Sequence, residues 1–208
     1  MATSFARCTG RPLLDQRGTP MTRRLLSFFC LLACLPFAAQ AEFKDENLLH
    51  GLPAGYKIDF QDRKGNMVMT EMVPQAESVK NWTEMLTSQI FLGVKTATPE
   101  SFQTRMQQSF AGLCKGASSA WVTQGQENGY PVGVWVQICP LNPATNKPEH
   151  VWFKAIKGND SFYVVQRAYR YQPSREQVTQ AMAHLREVKV CDSRLPDRPC
   201  PKVNKPVQ

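Results

Sequence analysis

The sequence predicts an α+β protein, an antiparallel sheet with helices packed against it. Three observations lead there. Apolar residues alternate with polar ones over several short stretches, and they recur every three or four residues over others. The two kinds of stretch come in runs: a hairpin, two helices, a group of strands and a closing helix. Segregated runs of this sort build an antiparallel sheet with helices against it, where strict strand–helix alternation would have built a parallel one.

The hairpin comes first. Tyr56, Ile58 and Phe60 alternate with polar residues, Arg63-Lys64-Gly65-Asn66 supplies turn chemistry, and 67–73 is rich in apolar side chains. Pro74 ends the second strand because it has no N–H to give to a ladder. Over 77–91, Val79, Trp82, Leu86 and Ile90 fall at helical spacing, so a helix is expected there with Gly93 as its C-cap. Thr98-Pro99 opens the next helix with a hydroxyl N-cap and a proline at the first helical position. Phe102, Met106, Phe110 and Leu113 form its expected inner face.

After Cys114 the period changes to two. Residues 120–126 read as a strand, Asn128-Gly129 as a tight turn, and Val132, Val134, Val136 and Ile138 as one face of the strand that follows. Residues 140–148 read as a proline-bearing loop, and 151–157 with 161–171 as a second hairpin around Gly158-Asn159-Asp160. Ser174 caps the last helix, with Gln177 completing a capping box; Val178, Ala181, Met182, Leu185 and Val188 are its apolar stripe. Residues 42–190 are thus expected to form one globular domain, and 191–208 a proline-rich tail held only by a disulfide.

Ahead of that domain, Met21-Thr22-Arg23-Arg24 precedes an apolar run from Leu25 to Leu35, then Pro36 and the small-residue site Ala39-Gln40-Ala41. This order reads as a signal peptide over 21–41, cut before Glu42. Residues 1–20 form an upstream extension, and either Met1 or Met21 can be the start. Leu31-Leu32-Ala33-Cys34 offers the alternative of a lipoprotein acylated at Cys34. The apolar run is too short to span a bilayer. The whole chain carries 25 Lys plus Arg against 17 Asp plus Glu. Removing 1–41 takes away five Arg and one Asp, which leaves 20 against 16 and halves the net charge from +8 to +4. Nucleic acid is therefore not an expected partner.

Cys114, Cys139, Cys191 and Cys200 survive that cut. Four cysteines in an oxidising compartment point to two disulfides, formally in any of three pairings. The short loop between Cys191 and Cys200 closes easily, and Cys114 with Cys139 would pin a helix end to a strand end. No C-x-x-C occurs and no histidine sits at ligand spacing, so neither a metal site nor a cofactor is expected.

The strings Asn81-Trp82-Thr83-Glu84-Met85, Phe153-Lys154-Ala155-Ile156-Lys157-Gly158-Asn159-Asp160-Ser161-Phe162-Tyr163 and Cys191-Asp192-Ser193-Arg194-Leu195-Pro196 resemble those of small exported bacterial proteins of unassigned function. The element order resembles the Mog1/PsbP-like architecture. That likeness implies a binding or accessory role exerted through the protein surface.

Strand parity marks one constellation. Tyr163, Val165, Arg167, Tyr169 and Tyr171 share a face of the strand over 161–171. With Trp135 and Trp152 on neighbouring strands, Tyr163, Arg167 and Tyr169 would make an aromatic platform with a cationic edge, fit for a ligand or partner. The alternative is that helices cover this face and Trp82 packs into it as core. The expected function is therefore an exported, disulfide-stabilised, non-catalytic binding protein of the periplasm or cell envelope. Its partner would be a protein or small molecule, and it would keep no membrane-spanning segment after processing. Two rivals stand beside it: a hydrolase assembled near 140–150 around Glu149 and His150, and a secreted inhibitor acting through its closed loop and tail.

Overall fold

A computed structural model of the chain describes residues 43–202. The signal segment, its cleavage site at Ala39, Ala41 and Glu42, and the alternative lipidation site Cys34 lie outside the described residues.

The elements run β1 (Glu46–Leu49), β2 (Tyr56–Lys64), β3 (Met67–Pro74), β4 (Glu84–Leu92), α1 (Pro99–Leu113), β5 (Ser118–Glu127), β6 (Tyr130–Asn142), β7 (Lys147–Lys157), β8 (Ser161–Tyr169), α2 (Arg175–Glu187) and β9 (Lys189–Asp192). Seven strands form one open antiparallel sheet in the order β2-β3-β4-β8-β7-β6-β5, and β1 pairs with β9 in a second sheet of two strands. This is the α+β class expected. Helix α1 packs across β5, β6 and β7 on one face of the large sheet, whereas α2 lies over β7 and β8. Each face has its own core. Val132, Val134, Trp152, Ile156 and Tyr169 meet Ala181 and Leu185 of α2 and its C-cap Val188, while Trp135, Phe153, Phe162 and Val164 meet Phe102, Met106 and Phe110 of α1.

Local chemistry explains most of the boundaries. Thr98 and Ser174 both form complete capping boxes, with Ser101 and Gln177 at the third helical position. Asn128 (φ 51°) and Gly129 (φ 73°) both adopt the left-handed conformation that the two-residue turn between β5 and β6 demands. Gly133 on β6 is needed for a different reason. A Cβ there would lie 2.7 Å from Pro99 and 2.8 Å from the Trp121 ring, so only glycine lets the N-terminus of α1 settle on the sheet. Both disulfides join the expected partners, Cys114 to Cys139 and Cys191 to Cys200. Closing the longer loop stabilises by about 3 kcal/mol in the chain-entropy picture.

Four expectations are corrected. The helix expected over 77–91 is a turn followed by β4. Near the middle of the sheet β4 buries Met85 and Thr87 on one side and Leu86 and Ser88 on the other, so its apolar pattern loses the period of two and mimics a helix. The Glu77 carboxylate closes the turn by accepting from Thr83 N at 2.6 Å and Thr83 Oγ1 at 2.5 Å. Leu113 is 73% exposed, because Cys114, drawn in by its disulfide, completes the inner stripe of α1 instead. The loop expected over 140–148 shrinks to a four-residue turn over 143–146, since β6 and β7 extend to meet it. The segment from Cys191 onward is tied by more than its disulfide. Cys191 sits opposite Asn47 in the β1–β9 ladder, Asp192 N donates to Arg198 O at 2.9 Å, and Arg194 bridges the buried Asp192 at 2.6 Å and Asp160 at 2.5 Å.

Candidate functional site

Strand register decides where the singled-out residues fall. In the β4–β8–β7 ladder, Glu84 sits opposite Tyr169, Leu86 opposite Arg167, and Arg167 opposite Trp152. Trp152, Tyr163, Arg167 and Tyr169 accordingly share the α2 face. Trp135 pairs with Phe153 and points to the α1 face. There it is fully buried, stacked on Phe153 at 4.9 Å and edge-on to Trp121 at 5.4 Å. The five platform residues are therefore divided between the two faces, and all of them are buried. Parity is the physical reason: paired residues share a face, and Trp135 and Trp152 lie at unpaired positions of β6 and β7.

On the α2 face the buried Arg167 and Tyr169 join the half-buried Tyr56, Glu84, Tyr171 and Gln177 in a polar network. The Arg167 guanidinium lies 4.9 Å from the Tyr56 ring centroid and 5.8 Å from that of Tyr169, and donates to the Tyr56 hydroxyl at 3.2 Å. The Glu84 carboxylate lies 3.7 Å from Arg167. It accepts from Tyr56 Oη at 2.5 Å, from Tyr171 Oη and from Gln177 Nε2 at 3.3 Å. Burial, reinforced by the Glu84 carboxylate, holds the Tyr56 and Tyr171 phenols well above the ordinary phenol range. Every charged group here has a partner from another element, which knits β2, β4 and β8 to α2.

The residues of the hydrolase reading are kept apart. Neighbours on β7 point to opposite faces: His150 is buried and stacks on Trp152 at 6.4 Å, while Glu149 accepts from Asn142 Nδ2 at 2.8 Å on the other side. The structure does bring two histidines together, which sequence spacing could not show. His184 on α2 contacts Gly51 O through Nε2 at 3.2 Å, and His50 lies within electrostatic reach of it. Among the described residues, no group of three or more His, Cys, Asp or Glu side chains is arranged to hold a metal ion.

Burial pulls His50, His150 and His184 below their ordinary value of 6.5. The unfolded chain thus takes up protons near pH 6.5 while the native protein still resists them. Their contribution to stability is complete above pH 6.5 and is lost as the pH falls toward the native values. Urea unfolding should show a lower midpoint at pH 5.5 than at pH 7.5, with a smaller difference in His184→Gln. Equal midpoints would contradict this linkage.

One concavity is open and differently built. The start of α1, the β2–β3 turn and the ends of β4 and β8 enclose about 320 Å³. Its floor is a triad of rings, with Phe102 5.9 Å from Phe91 and 5.5 Å from Phe162, and Phe91 6.2 Å from Phe162. Asn66, Thr96, Ser101 and Arg105 stand around it. Phe102 was identified from sequence as a core residue of its helix; the groove it helps to line went unseen, because its walls come from four separate segments.

Fold and groove together define an α+β protein with an open antiparallel sheet and an aromatic-floored cleft at the ends of its inner strands β4 and β8. No protein family matches the sequence, and no curated protein does. Among solved structures, the chain is similar to a mutant of the protein Mog1, with a TM-score of 0.41 and 11% identity over 66% of this chain and 78% of that one. It is also similar to the Ran-binding protein Mog1p of Saccharomyces cerevisiae, with a TM-score of 0.40 and 11% identity over 69% of this chain and 85% of that one.

Proposed function

We propose that this is an exported, disulfide-stabilised, non-catalytic binding protein of an oxidising compartment such as the bacterial periplasm, released by cleavage before Glu42. The division of labour among its polar side chains carries the reading. Arg167 and Lys154 are buried and, with Glu84 and Glu127, hold elements together, while the open groove offers two half-buried phenylalanine rings backed by a third and one exposed arginine, the chemistry of contact. The two disulfides fit a compartment where thiols oxidise. Among the described residues, no helix is long and apolar enough to cross a membrane.

Expression of the full chain in a Gram-negative host tests the address. Intact-mass analysis should give a chain beginning at Glu42 with no thiol titratable by Ellman's reagent. A lipid-bearing chain beginning at Cys34 would move the protein to the membrane surface, and a full-length reduced chain in the cytosol would overturn the export reading. The immobilised mature protein should then retain a protein or small molecule from an envelope extract. Turnover of an ester or peptide library by the same preparation would favour the hydrolase instead.

A further inference from the structure

The groove beside α1 narrows the kind of ligand, on the assumption that the protein is a binder. We propose that it takes a small amphipathic monocarboxylate: an aromatic or branched apolar group seated on the phenylalanine triad, with its carboxylate on Arg105.

The volume of about 320 Å³ lies near the lower end of small-molecule sites, which run from roughly 300 to 1,000 Å³. Phe91 and Phe102, both half-buried, are tilted against each other at 59° and so present an edge and a face to whatever enters, while Phe162, 1% exposed, backs them from the core. That arrangement suits a planar ring or a branched chain better than a fully hydrated ion.

The polar rim is mostly occupied with its own contacts. Ser101 Oγ belongs to the capping box, accepting from Thr98 N at 3.0 Å and donating to Thr98 O at 3.0 Å. Asn66 Nδ2 donates to Leu92 O at 3.2 Å. Neighbouring charges are committed as well: Lys95 pairs with Asp160 at 3.7 Å, and Glu100 accepts from Gln124 on β5 at 3.1 Å. Arg105 differs from all of these. It is exposed, it lines the groove, and it makes no ion pair among the described residues. No acidic side chain lines the cavity. An arginine lining an apolar-floored cavity is complementary to one carboxylate joined to one hydrophobic group, because the planar fork binds a carboxylate through two parallel hydrogen bonds. A phosphate would leave the floor uncovered, and a neutral hydrophobe would leave Arg105 unmatched.

The test is a proton–nitrogen NMR titration of the mature chain with 4-phenylbutyrate and with its neutral isostere 4-phenylbutanamide. Both should move the backbone amides of Phe91, Phe102 and Arg105, with the acid binding roughly five- to tenfold tighter. In Arg105→Gln, whose altered side chain is exposed and leaves the fold intact, the acid should fall to the affinity of the amide. Phe102→Ala should weaken both. Equal affinities in the natural protein, discrimination that survives Arg105→Gln, or shifts absent from the groove would each overturn the proposal. An acetylated tripeptide ending in phenylalanine with a free carboxylate separates the two sources of this chemistry. If it binds more than tenfold tighter than phenylbutyrate, a protein C-terminus is the ligand and the free small acid is excluded. A groove that ignores every probe while the immobilised protein still captures an envelope partner overturns the ligand class and leaves the binding role standing.

Discussion

Replacing Lys154 with methionine should lower stability by about 2 to 4 kcal/mol, because it leaves two buried carbonyls without their donor while Glu127, 41% exposed, turns to water. Lys154 comes from the middle of the sheet yet is only 1% exposed. Its ammonium donates to Glu127 Oε2 at 2.5 Å and to two carbonyls at the C-terminal end of α2, Leu185 O at 2.9 Å and Val188 O at 2.8 Å. Burial pulls the ammonium below the usual lysine range, and the Glu127 carboxylate offsets part of that pull. A lysine side chain thus finishes the helix from underneath, placing positive charge where the macrodipole is negative and satisfying carbonyls the helix cannot satisfy itself. Methionine preserves the volume and removes all three hydrogen bonds, so packing loss does not confound the result. Urea unfolding followed by circular dichroism is the measurement. A loss below 1 kcal/mol would mean that α2 docks by its apolar stripe alone.

The second large effect is expected at Glu84, and it should be asymmetric. Glu84→Ala takes the shared acceptor from Tyr56, Tyr171, Gln177 and Arg167 together, and should cost about 3 to 5 kcal/mol. Arg167→Met leaves the Glu84 carboxylate with its two phenols and its amide, so it should cost less, about 2 kcal/mol. The double variant should cost less than the sum, with a coupling of about 1 kcal/mol or more. Strict additivity in urea titrations would show that the two charges stabilise the fold independently.

What could be seen in the sequence was local chemistry. The turn at Asn128-Gly129, the caps at Thr98 and Ser174, the stripe of α2 and the Cys191–Cys200 disulfide each depend on residues close together in the chain, and the count of four cysteines then leaves Cys114 to Cys139. What was hidden depends on distant partners. β4 was obscured because its two faces are both covered, which removes the alternation that marks a strand. β1 carries no signal of its own, being four residues whose ladder is completed only by β9. The aromatic constellation was read correctly within β8, where parity fixes the faces. It failed across β6 and β7, where register rather than composition assigns Trp135 and Trp152 to opposite sides. Arg105 had no signal at all until Asn66, Phe91 and Phe162 were seen beside it.

The pairing of Glu46–Leu49 with Lys189–Asp192 has a consequence for how the molecule is made. A ribosome delivers the first of these segments long before the second, so the nascent polypeptide carries an unmated edge for almost its entire birth. Glu46 has the same wait, since its carboxylate receives the amides of Asn159, Asp160 and Ser161. Pairing segments so far apart delays closure of this ladder, because distant contacts must bear their loop entropy before they are rewarded. The two-stranded ladder is thus a late addition to a seven-stranded sheet whose own strands all lie between the ladder's two halves in the chain.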